Sequence, residues 1–218
     1  MLNKGKPLVL IGGGGHASVL ADILLGQGRD ILAVICPDDI SSRLVFTGIL
    51  HLTQDEDIER FSPDSVLLVN GIGMMPRSMH RKQINDYFLE LGYHFETVIA
   101  SDASISSFAD IQAGAQILPG ARIQTGAVIG KHTIINTDVL IEHDCQIGDY
   151  NHIAPSATLC GEVKTADDVY IGANATLIQG LVLSERSIVG AGSVLTQSLP
   201  PKCICYPARS VIKVNKHN

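Results

Sequence analysis

The residues best suited to chemistry cluster at Ile141-Glu142-His143-Asp144-Cys145. A neutral imidazole with an ordinary pKa near ~6.5 can take a proton from an attacking amine. An adjacent carboxylate can fix its tautomer and stabilise the imidazolium that forms. His143 is therefore the candidate base, Asp144 its partner, and Glu142 the alternative orienter; the plainer reading is a surface histidine at a turn. Gly161 lies eighteen residues further on, where a backbone N–H could meet developing negative charge or the glycine could merely complete a corner. A second constellation is Gly12-Gly13-Gly14-Gly15-His16-Ala17, followed by Asp38-Asp39 about 21 residues after Ala17, the loose form of a dinucleotide fingerprint. Glycines let a backbone approach a phosphate, and a helix N-terminus offers unpaired N–H groups. His16, at the loop-to-helix edge, is placed to meet a phosphate or sugar, unless it is a solvent-facing end to the loop.

What holds His143 in place is a repeat. Every sixth residue from Ile105 to Leu195 is aliphatic except Thr165, without an insertion. Small side chains stand two positions earlier, as at Ala103, Ala109, Ala115, Ala121 and Ala127. Neither helix nor lone-strand periodicity produces this spacing; a β-helix of short strands and turns does. Residues i and i−2 point the same way, so a small and a large side chain fill a narrow three-sided tube. Three repeats make one turn, so the stretch gives about five coils. His143, two residues after the inward Ile141, falls on a corner and points outward. Cys145 reads as a core filler, and Thr165 as a register fault near a loop at 165–168.

Ahead of the repeat, Leu8–Ile11 reads as a buried strand, Ser18–Leu25 as a helix with Gly28 as its stop, and Ile31–Ile35 as a second strand. Ser65–Val69, a helix over Arg77–Leu91 and a strand over His94–Ile99 complete half of a doubly wound fold. That favours a mononucleotide-type ligand over a whole dinucleotide. The domains are expected at 1–100, 101–197 and a tail at 198–218.

The chain has 218 residues and a net charge of −6, with no basic face for nucleic acid. Its five cysteines form no metal-type pairs, so no metal is expected, and a reducing cytoplasm is the expected setting. The apolar run at Leu8–Ile11 is too short for a signal sequence or a membrane span.

The Gly-Gly-His loop, the strand ending in Asp-Asp, and Asn136-Thr137 with Ile141–Cys145 together resemble the bacterial nucleotide-sugar N-acetyltransferases of the bacillosamine, perosamine and viosamine type. Sialic-acid O-acetyltransferases look like close relatives. The resemblance implies a half-Rossmann-like α/β domain followed by a left-handed parallel β-helix, assembled as a homotrimer. It implies a nucleotide-linked amino sugar at Gly13, Gly14, Gly15, His16, Asp38, Asp39, Asn70, Gly71 and Asn136. It further implies acetyl-CoA along His152, Gly161, Ala173, Ala191 and Arg209, with His143 as base for acetylating the C4 amine of a UDP- or dTDP-linked 4-amino-4,6-dideoxy sugar. Asn136 has a rival reading as a turn-stabilising residue, and His152 as a trimer-seam packing residue. The tail Cys205-Tyr-Pro-Ala-Arg209 resembles the closing G-x-P-A-K segment, with Cys205 where glycine is usual. Alternatives are O-acetylation of a sugar hydroxyl, a covalent route through Cys160, and a non-catalytic scaffold.

Overall fold

The computed structural model describes residues 5–208. The strands β1 (Leu8–Ile11), β2 (Ile31–Ile35), β3 (Leu50–Leu52) and β4 (Leu67–Asn70) form a parallel sheet in the order β3-β2-β1-β4. Helix α1 (Gly15–Gly26) follows β1 and α2 (His80–Glu90) follows β4. Since β1 is flanked by β2 on one side and β4 on the other, the crevice beyond its carboxyl end is a topological switch point, where such sheets hold ligands. The glycine loop sits there. Helix α1 ends at Gly26, with Gly28 at φ +71° just beyond it.

Two sequence expectations change here. The three-residue β3, too short to show a period, was missed. The expected strand His94–Ile99 divides: Phe95 bridges to Leu68 of the first sheet, while β5 (Val98–Ile99) pairs with Gln116–Ile117 and opens the β-helix.

From there to Leu195, two-residue strands stack in parallel with partners eighteen residues away, as in Leu140↔Thr158 and Ile141↔Leu159. Three sheets result, the walls of a triangular prism. Each residue of the sixfold series ends one strand, and its side chain enters a continuous core running from Ala115 to Leu195. The turns are uniform as well. Every sixth residue from Gly114 to Gly192 has positive φ, including Asp144 at 59° and Tyr150 at 52°. Non-glycine residues resist that region, so stacking overrides local preference in coil after coil.

Thr165 is no register fault. It pairs with Leu183 like its neighbours, and its hydroxyl accepts hydrogen bonds from the buried Asn151 amide (2.6 Å) and from Gly148 N–H (3.1 Å). Asn151 N–H in turn donates to Thr133 Oγ1 (2.9 Å). A buried polar group is tolerated when its partners are present. Cys205, where glycine is usual, lies in a strand paired with Val189, and the positive φ of this segment falls on Lys202 (60°).

The two domains share a core. Leu118 and Ile134, from one wall of the prism, pack with Leu20, Leu24 and Val34 of the α/β domain. That wall's outward column, Gln116, Ile134 and His152, is buried beneath the domain.

Candidate active site

The crevice at the end of β1 opens into a cavity of about 770 Å³, within the range of small-molecule sites. The glycine loop, Asp38, Gly71 and Met74 line one side; Leu118, Asn136, Thr137, His152 and Tyr170 of the prism wall line the other. The loop's glycines differ in purpose. Gly12 has φ +94°, and a Cβ on Gly13 would run into Ile40 and Cys36. At Gly14 and Gly15 a Cβ would meet nothing within 4 Å. No neighbour within the chain demands glycine at those two, which leaves the first turn of α1 open to the cavity with no capping side chain on its N–H groups.

Asp38 is exposed and lines this space. Asp39 does not line it: its carboxylate accepts from Ser41 N–H (2.9 Å) and Ser41 Oγ (2.8 Å), bonds that hold its pKa below the ordinary value. Asn70 is likewise absent from the cavity lining. It is buried, its amide donates to Asn85 Oδ1 (2.7 Å) and the Arg81 carbonyl, and its oxygen accepts from Ile72 N–H. Its work is to shape the loop from Gly71 to Met74.

On the prism wall, His152 was expected as an outward contact to a thioester. It does leave the tube, but the α/β domain covers it. The Met74 carbonyl can only accept, so His152 Nδ1 carries the proton (3.1 Å). Nε2 then accepts from Asn136 Nδ2 (3.1 Å), and Asn136 Oδ1 accepts from Thr137 N–H (2.8 Å). Both ring nitrogens are engaged. Burial, with Arg81 adding to it, lowers the His152 pKa to about 4. His16 is lowered to about 4 as well, chiefly by burial and then by Arg81. Its Nε2 meets Gln116 Oε1 at 2.8 Å.

His143 stands elsewhere, on a corner of the prism, with its side chain 53% exposed. Its Nδ1 lies 2.8 Å from Asp144 Oδ2, and that hydrogen bond holds the imidazole above the ordinary histidine value. The left-handed backbone at Asp144 turns its carboxylate back toward the preceding ring. The ring's other edge lies over Gly161 in the next coil: a Cβ there would come within 2.6 Å of His143 Cε1 and Nε2. Gly161 N–H has no acceptor among the described residues. Glu142, on the same stretch, makes no side-chain hydrogen bond among those described. One coil earlier, a Cβ on Gly126 would collide with Asp144 Oδ1.

Ala173 and Ala191 stack on a different edge, joined by Gly192 N–H to the Ala173 carbonyl (2.8 Å). Within one chain, therefore, the expected acetyl-CoA contacts divide between two edges, and His143 does not line the cavity that holds the glycine loop. Arg209 lies outside the described residues. Cys145 is buried, its thiol pushed up to about 11 by burial and directed at the Cys160 carbonyl (3.3 Å), which makes it a packing group. No cluster of metal ligands occurs among the described residues, and no described helix is long and apolar enough to cross a membrane.

Sequence reasoning missed Gln116, Arg81, Met74, Tyr170 and Gly126. A signal for two of them was present. The outward column Val98, Gln116, Ile134, His152, Tyr170, Ile188, spaced by eighteen, is far less charged than a solvated face needs.

Residues 7–88 match the PglD N-terminal domain model, and residues 126–161 match the bacterial transferase hexapeptide model of six repeats. A GDP-perosamine N-acetyltransferase of Escherichia coli is 48% identical over 52 residues, covering 24% of this chain and 23% of that protein. The matched stretches span 29% and 23% of the length of the first curated relatives. Among solved structures, PerB from Caulobacter crescentus, in complex with CoA and GDP-perosamine, has a TM-score of 0.81 at 27% identity, covering 91% of this chain and 92% of that one. The acetyltransferase domain of PglB from Neisseria gonorrhoeae, in complex with acetyl coenzyme A, has a TM-score of 0.81 at 26% identity, covering 95% and 100%. The Escherichia coli relative and the PglB domain are acetyltransferases.

Proposed function

Because the chain joins a PglD N-terminal domain to transferase hexapeptide repeats in the fold of the perosamine N-acetyltransferases, we propose that it transfers the acetyl group of acetyl-CoA to the amine of a nucleotide-linked amino sugar. The nucleotide lies along the open glycine loop toward Asp38, and the sugar reaches the prism wall. The observation that carries the reaction is the His143 corner: a histidine anchored at Nδ1 by Asp144, its Nε2 side lying over a glycine with a free N–H.

The chemistry follows from that geometry. The sugar amine, as free base, attacks the thioester carbonyl while His143 Nε2 takes a proton from nitrogen. Asp144 keeps Nδ1 protonated and stabilises the imidazolium. Gly161 N–H faces the oxygen on which negative charge develops. Collapse breaks the C–S bond, and the proton returns to sulfur, so CoA leaves as a thiol. No cysteine nucleophile takes part.

Since His143 and the cavity sit on separate surfaces of one chain, the reading requires a second copy to bring its His143 edge to this cavity, as a cyclic trimer would. Acetyl-CoA then runs between two copies and touches Gly161 of one and Ala173 and Ala191 of the other. The test is a panel of UDP-, dTDP- and GDP-linked 4-amino-4,6-dideoxy sugars with acetyl-CoA, following thiol release. Turnover of at least one is expected. Silence across the panel with turnover on a free sugar hydroxyl would replace this reading with O-acetylation.

A further inference from the structure

Gln116 is 1% exposed, at the seam where the prism wall meets the glycine loop. Its Nε2 donates to the Asn70 carbonyl (2.8 Å), and a carbonyl can only accept, so the amide cannot be reversed. Its oxygen therefore faces His16 Nε2. That oxygen also only accepts, so the proton must reside on His16 Nε2. His16 Nδ1 is left with a bare lone pair and no partner among the described residues, on a ring that lines the cavity. Arg81 completes the clamp from α2. Its Nη1 donates to the carbonyls of Asn70 (3.0 Å) and Ile72 (2.6 Å), fixing the acceptor that orients Gln116.

We propose that Gln116 is a positioning residue that locks His16 into the tautomer with a bare Nδ1, so that the glycine loop reads a hydroxyl or amine hydrogen of the bound sugar rather than a phosphate oxygen. This rests on the functional reading above. A phosphate offers only acceptors at neutral pH, and a lone pair repels it. The sugar is the donor favoured, because His16 is tethered through Gln116 to the prism wall that the sugar reaches, while the nucleotide runs toward Asp38, beyond the end of β2. The groups facing His16 also disfavour a cation: Arg81 from α2 and His152 from the wall, with Gln116 supplying no charge.

Three measurements test this. In protein labelled with ¹⁵N-histidine, long-range ¹H–¹⁵N spectra at pH 7 are expected to show His16 with Nδ1 unprotonated; a proton on Nδ1 overturns the proposal. Binding of the nucleoside diphosphate alone is then compared with binding of its 4-amino-4,6-dideoxy-sugar derivative, using the base the enzyme turns over. His16→Asn retains a polar atom near the Nδ1 position and His16→Gln near the Nε2 position. The expected result is a loss of sugar-nucleotide affinity of about tenfold in His16→Gln and less in His16→Asn, with the free diphosphate unaffected in both. Equal losses on the free diphosphate would show that His16 serves the phosphates. Gln116→Met is expected to mix the His16 tautomers and weaken the sugar nucleotide alone; an unchanged spectrum would overturn the positioning role. A wild-type protein that binds neither ligand would sink the functional reading and the sugar assignment together, while the spectrum still decides the tautomer.

Discussion

At the scale of single residues, the corner at His143 makes the sharpest demands. Replacing His143 with Ala removes the proton acceptor and should lower kcat/KM by about 10²–10⁴-fold. Partial recovery at high pH, where the amine is already free base, separates N-transfer from O-transfer. Because Asp144 raises the His143 pKa, the wild-type rate should climb through an inflection above the ordinary ~6.5 as the imidazole becomes neutral. Asp144→Asn should move that inflection down, read from a pH–rate profile. Gly126→Ala should do the same from eighteen residues away, since its new methyl would displace the Asp144 carboxylate; an unshifted profile in that variant would refute the coupling. His143 and Asp144 could be proposed from the sequence because their chemistry lies in their side chains. The sequence hid Gly126 because a glycine's role there exists only through the coil stacked upon it.

At the scale of elements, legibility followed periodicity. The sixfold register assigned each prism strand because a tube without insertions repeats its environment. Thr165 looked like a break because its partner Asn151 stands fourteen residues back, a contact made across the tube interior. Thr165→Val should leave the Asn151 amide unsatisfied, while Gly148 N–H keeps the carbonyl of residue 165 as its acceptor, costing about 1–3 kcal/mol, measurable by denaturant unfolding. Replacing Asn151 at the same time should add a further loss, because its Oδ1 is also the acceptor of the buried Val169 N–H, yet less than the sum of the two single substitutions, since the Thr165 contact is lost only once. The α/β domain was read less well, since β3 has only three residues and Phe95 was drawn into a sheet other than that of Val98.

Across the whole molecule, the seam between domains is sensitive to acid. His16, His132 and His152 are each lowered to about 4, chiefly by burial. A histidine with a depressed folded pKa is neutral in both states above ~6.5, so stability is complete there. Below it the unfolded chain binds protons that the folded chain refuses, and stability falls toward pH ~4, by on the order of 3 kcal/mol per histidine. Thermal melts between pH 7 and 4.5 should show this, and His132→Phe, which keeps a ring beside Phe95 and Tyr150, should flatten the decline. Assembly has its own test. Two inactive variants, His143→Ala and one with the glycine loop blocked by Gly15→Trp, should regain part of the wild-type rate when co-assembled, because mixed oligomers contain sites built from an intact half of each. No regain on mixing would mean that each chain works alone.

The unbroken stacking of coils also governs how such a protein can change its length. Residues added within the coil, rather than looped out at a corner, leave every later side chain on its wall only if they number a multiple of eighteen. A block of that size inserted beyond Ala191 would simply add one storey, about 4.8 Å, leaving His143, Gly161 and Ala191 undisturbed. Growth of this molecule is quantised, and the tip of the prism is where it can occur without reaching the chemistry.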